Sequence, residues 1–83
     1  MSAQWEGVDE RAARAAGAWA IAKGRSEGRH GLAHAYTLLQ QIAVSALLRD
    51  DVATAREYAR AAALVEESAD RMSARWLRER GTR

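Results

Sequence analysis

Residues 49–68 read RDDVATAREYARAAALVEES, and alanine fills nearly every position of that stretch where a helix would face a neighbour. Helices with alanine at their contact positions approach more closely than helices studded with leucine, toward the lower end of the usual ~8–10 Å interaxial range. The partner helix must then supply the bulk. The stretch before it does so with Leu39, Ile42 and Leu47. The pattern therefore predicts two antiparallel helices packed tightly across a short turn. No segment alternates apolar and polar residues with period two, so no strand is expected and the fold class is all-α.

Three helical segments follow from the 3.6-residue period. The first covers about residues 3–24, with Trp5, Val8, Ala12, Ala15, Trp19 and Ala22 along one face. Gly17 inside it costs about 1 kcal/mol against alanine unless a neighbouring helix comes close there. A connector, GRSEGRHG, has three glycines and no apolar residue. The second segment, about 31–49, has Leu32, Tyr36, Leu39, Ile42, Ala43, Ala46 and Leu47 on one broad face, widened by Leu38 and Leu48. A helix apolar on most sides is expected at the centre of a bundle. Asp50 or Asp51 is a natural N-cap for the third segment, because a carboxylate accepts the free N–H groups of a helix start. That segment covers about 52–80, with Val52, Ala55, Ala59, Ala62, Val65 or Glu66, Ala69, Met72 and Trp76 inward. Ser68 or Asp70 could cap a separate fourth helix. The whole is one domain, residues 1–83, built as a small antiparallel bundle of three helices, or four.

Residues 36–65 resemble one tetratricopeptide repeat. The motif positions are Leu39, the pair Ile42–Ala43 and Ala46 on the first helix, then Ala55, Ala59 and Ala62 on the second. The two aspartates of the turn stand where that family usually has Gly–Asp. Ala15, Trp19 and Ala22 fit the second-helix pattern of a preceding half repeat. The closing proline is missing, and the family's Trp and Tyr positions are Leu39 and Ala46. The resemblance implies a helical hairpin used for protein contacts. One and a half repeats form a concave binding surface only by self-association, since about three stacked repeats are needed.

At 83 residues a single core yields only a few kcal/mol, and alanine lowers the apolar area buried per residue. An oligomer or a partner is therefore expected. No cysteine is present, so there is no disulfide framework or thiolate metal site, and a cytoplasmic location is the simplest expectation. The start has no basic region followed by an apolar run, and no segment is apolar enough to span a membrane. Twelve of the thirteen basic residues are arginine and alanine is abundant, the bias of a GC-rich bacterial genome.

Net charge is +2, too small to argue for nucleic acid globally. Its distribution is uneven. Residues 49–70 carry three Arg against six Asp and Glu, whereas residues 71–83 carry five Arg against one Glu. A third helix of the expected length overshoots the second. Met72, Trp76 and Leu77 then need cover from outside, with Arg71, Arg75 and Arg78 along another face. Trp and Arg recur at interface hot spots. The expected function is a non-enzymatic interaction module, an adaptor or accessory subunit that self-associates, most simply as a homodimer, or binds another protein.

Two other readings use nearby residues. A small regulator could grip nucleic acid through Arg71, Arg75, Arg78, Arg80 and Arg83 by phosphate pairing and base stacking. A metal-binding helical protein could use Glu27, His30 and His34, since Glu27 and His30 have the E-x-x-H spacing of di-iron bundles. Such bundles need two of these motifs and two further glutamates, and one motif is present. The phosphate-loop pattern is absent, no Ser–His–acid constellation is visible, and the reading leans against an enzyme. Neither cofactor nor small-molecule substrate is implied.

Overall fold

The computed structural model describes residues 3–81, apart from the side chains of Ala3 and Trp76. Its order is a 3-10 turn η1 (Ala3–Trp5), then α1 (Glu10–Ser26), α2 (Leu32–Leu48) and α3 (Val52–Gly81). The three α-helices form a small all-α bundle with no strand among the described residues.

The first helix starts later than its periodicity suggests. Gly7 takes φ +85° and breaks the run, and Asp9 caps the new start. The Asp9 carboxylate accepts from the backbone N–H of Arg11 at 3.0 Å and of Ala12 at 3.2 Å. The N-terminal segment is then tied down by the third helix rather than by its own helical bonds. One Arg56 nitrogen donates to the carbonyls of Gln4 at 2.7 Å and Glu6 at 2.6 Å.

The end of α1 also differs, because Gly24, Arg25 and Ser26 are helical rather than part of the connector. Arg29 N–H donates to the Gly24 carbonyl at 2.7 Å, and Gly28 N–H to that of Arg25 at 3.1 Å. Gly28 at φ +74° supplies the left-handed residue of this Schellman stop.

The α2–α3 turn repeats the device without glycine. Asp51 N–H donates to the Ala46 carbonyl at 2.9 Å and Asp50 N–H to that of Leu47 at 3.0 Å. Asp50 takes φ +60°, a region that aspartate tolerates better than most side chains. Asp51 is the cap, its carboxylate accepting from Thr54 N–H at 3.2 Å. The two aspartates thus divide the work, one ending α2 and the other starting α3.

The core is built from small residues. Ala13, Ala16, Ala20, Ala35, Ala61 and Ala62 are buried with Leu39 and Val65, and Leu39 is the largest fully buried side chain among the described residues. Val8, Ile21, Leu32, Tyr36, Leu38, Tyr58 and Leu64 pack around it, half-buried. The inner face of α1 is therefore Ala13, Ala16, Gly17, Ala20 and Gly24, not the face through Ala12, Ala15, Trp19 and Ala22. A seam this close excludes indole rings, and Trp19 turns outward. Three expected core positions at the hairpin tip are also corrected. Leu47 and Leu48 are exposed, as is Val52, because α1 and α3 cover only two sides of α2.

Candidate interaction surface

Helix α3 runs unbroken through residues 68–70. The reason lies in Ser68, whose hydroxyl donates back to the Leu64 carbonyl at 3.1 Å instead of capping a new start. At 1.5 Å per residue the 30 residues of α3 span about 45 Å, whereas the 17 of α2 span about 26 Å. The first turns of α2 meet α3 near its midpoint, where Leu32, Ala33, Tyr36 and Thr37 line a groove with Val65, Glu66 and Ala69. Beyond Ala69, about 18 Å of α3 projects past that meeting point.

This projection carries most of the residues singled out in the sequence. Met72 is 64% exposed and Leu77 is 62% exposed. Arg71, Arg75 and Arg78 are exposed as well. Arg71 donates to the Ser68 hydroxyl at 3.4 Å, and Arg75 pairs with Glu79 at 3.2 Å. The Trp76 side chain and Arg83 lie outside the described residues. Surface pairs four apart on a helix add only about 0.3–0.5 kcal/mol, so these contacts leave the arginines able to exchange partners.

A second apolar surface lies on α2. No Asp, Glu, Lys or Arg occurs from Leu32 to Leu48. Its outward side presents Tyr36, Thr37, Gln40, Gln41, Val44 and Ser45 along a shallow groove. The Gln40 side-chain amide donates to the Tyr36 hydroxyl at 2.8 Å, which fixes one wall. At the far end Leu48 is 82% exposed. The sequence pattern placed Leu47 and Leu48 in the core and so missed this strip, although the charge-free run was its visible signal.

The strongest electrostatic site is structural and joins residues fifty positions apart. Arg60 grips Glu10 in a two-pronged pair, at 3.0 Å to one carboxylate oxygen and 2.6 Å to the other. The same guanidinium lies 5.6 Å from the centre of the Trp5 ring. Glu67 stands 3.9 Å away. No local spacing in the sequence announces this cluster. Hydrogen bonding to Arg60 holds the Glu10 carboxyl below its ordinary 4.5; partial desolvation opposes the shift, and the charges of Arg60 and Arg14 add to it. A lowered carboxyl pKa stabilises the fold above 4.5 and loses that contribution as pH falls through the folded value. Thermal melts of the wild type and of Glu10→Gln should therefore differ at neutral pH and converge as pH drops below 4.5. A gap that stays constant on acidification would mean that the pair does not operate in solution.

The candidate metal ligands are not gathered into a site. Among the described residues no group of three or more His, Cys, Asp or Glu is placed to hold a metal ion. Glu27 is engaged by Lys23 at 3.0 Å. The His34 ring lies against Gly24, where an added Cβ would stand 2.9 Å from the imidazole Cδ2. No described helix is long and apolar enough to cross a membrane.

No family model, curated protein or solved structure matches this chain. Its function must therefore be argued from its own surfaces.

Proposed function

We propose that the chain is a non-enzymatic protein–protein interaction module whose docking element is the projecting end of α3. One observation carries this reading: Met72 and Leu77 are 64% and 62% exposed on a helix that extends beyond α2. Ordering a bare helix costs conformational entropy with little burial in return. A partner helix laid against the projection supplies that burial, and the arginines beside it select an acidic surface. The tetratricopeptide-like hairpin of residues 36–65 belongs to the same proposal, as does a role as adaptor or accessory subunit in a bacterial cytoplasm.

Arg71, Arg75 and Arg78 follow one another at spacings of four and three and share one side of α3. That spacing motivates a second reading, in which the projection binds nucleic acid. Salt separates the two, because phosphate contacts weaken steeply with ionic strength and apolar burial does not. Sedimentation at about 0.1 M and about 0.5 M salt, with and without a short oligonucleotide, is the test. The expected result is a protein association that persists at high salt and is abolished by Leu77→Glu. Oligonucleotide binding lost at high salt, with no protein association at either salt, would replace the first reading by the second.

A further inference from the structure

We infer that the occupant of the α3 projection is a second copy of this chain, paired antiparallel, with each Leu77 seated in the other copy's α2–α3 groove. The inference rests on the reading of α3 as a docking helix and adds the partner and its direction.

Three features point the same way. The first is shape. The groove lined by Leu32, Ala33, Tyr36, Thr37, Val65, Glu66 and Ala69 has a volume of about 290 Å³ and is open, room enough for one leucine-sized side chain. Leu77 comes eleven residues after Glu66, which lines the groove. That separation is about three helical turns, so Leu77 lies over the same side of α3 as Glu66.

The second feature is charge. Residues 66–70 hold Glu66, Glu67 and Asp70 with no basic residue, and residues 71–81 hold Arg71, Arg75, Arg78 and Arg80 against Glu79. Antiparallel pairing lays the basic segment of one copy along the acidic segment of the other, twice over. Parallel pairing sets like against like at both places, which is unfavourable.

Register is the third. With Ser73 on the two-fold axis, residues equally distant from it face each other where they share its side of the helix; Arg71 and Arg75, and Glu67 and Glu79, lie round the far side. Leu77 then opposes Ala69, which is small and half-buried at the groove wall. Arg80 opposes Glu66. A two-fold pairing makes every such contact twice and closes, so it gives a dimer and no filament.

The chain has no cysteine, so introduced thiols report the arrangement without background. The full chain, Ala69→Cys and Leu77→Cys are oxidised separately and as a mixture, and the wild-type mass is measured by light scattering. The expected mass is twice 9.1 kDa. Disulfide dimers should form in the mixture and not from either variant alone, because antiparallel pairing offsets identical residues by more than the roughly 7 Å that a disulfide spans. Leu77→Asp should weaken self-association more than tenfold with helicity unchanged by circular dichroism. A dimer in which each cysteine variant cross-links with itself would overturn the antiparallel arrangement and leave the docking reading standing. A wild-type mass of 9.1 kDa at concentrations up to about 1 mM would overturn the second copy as occupant. If that monomer then binds the oligonucleotide, the docking reading falls with it.

Discussion

Leu39→Ala is expected to remove most of the stability of this fold. Leu39 is fully buried and is the largest such side chain among the described residues; its buried neighbours are six alanines and Val65. Truncating a buried leucine costs the lost transfer energy plus the cavity left behind, about 2–5 kcal/mol in all. Collapse can relieve part of that cost where neighbouring side chains are long enough to swing inward. The buried alanines cannot, but Ile21, Leu32, Tyr36, Leu38, Tyr58 and Leu64 pack half-buried against the same cluster, so the middle of the range, about 3–4 kcal/mol, applies here. At about 0.05–0.15 kcal/mol per residue, a domain of this size has roughly 4–12 kcal/mol in total, and an alanine core sits at the low end. Urea denaturation at one fixed protein concentration measures the difference. Leu48→Ala is the control: that side chain is 82% exposed, and its loss should stay within about 0.5 kcal/mol. Similar midpoints for the two variants would mean that α2 is not packed as described.

The helical hairpin was legible in the sequence because its signals are local, whereas the continuity of the third helix through residues 68–70 was left open and is decided by the structure. Apolar spacing placed α2 and α3, the pair of aspartates marked the turn, and the mismatch in helix lengths exposed the projection at Met72 and Leu77. What failed was the phase of α1. Trp5 and Trp19 dominate any reading weighted by hydrophobicity, and they draw the predicted face onto Ala12, Ala15 and Ala22. The alternative set, Ala13, Ala16, Gly17, Ala20 and Gly24, has equally good helical spacing, and it is the one buried. The choice between them is made by the distance to α3, which no local pattern contains. The same limit hid the Glu10–Arg60 pair and the clasp of Arg56 on the Gln4 and Glu6 carbonyls, since both join segments some fifty residues apart. The α2–α3 groove was hidden for the same reason. Its walls come from two helices whose register is set by the turn at Asp50 and Asp51.

The closeness of α1 and α3 gives an opposite pair of effects. Ala61 is fully buried. A methyl group built on Gly17 would stand 3.5 Å from the Val65 Cγ2 and 3.9 Å from the Ala61 carbonyl oxygen. Both distances are ordinary contact, so the seam admits one more carbon at Gly17 and is then full. Gly17→Ala should accordingly stabilise the fold by about 1 kcal/mol, the helix-propensity difference, with a small contribution from contact with Val65. Ala61→Leu adds three carbons to a position with no free space. It must force α1 away from α3 or push side chains off their rotamers, at about 1–3 kcal/mol. The upper end applies, because the displaced helix also carries Glu10 away from Arg60. Chemical denaturation of the two variants against the wild type reads both signs at once. Should Ala61→Leu prove stabilising, the alanines would be underfilling a loose core. The loss predicted for Ala61→Leu and the gain for Gly17→Ala hold together only if alanine is present to bring α1 and α3 close.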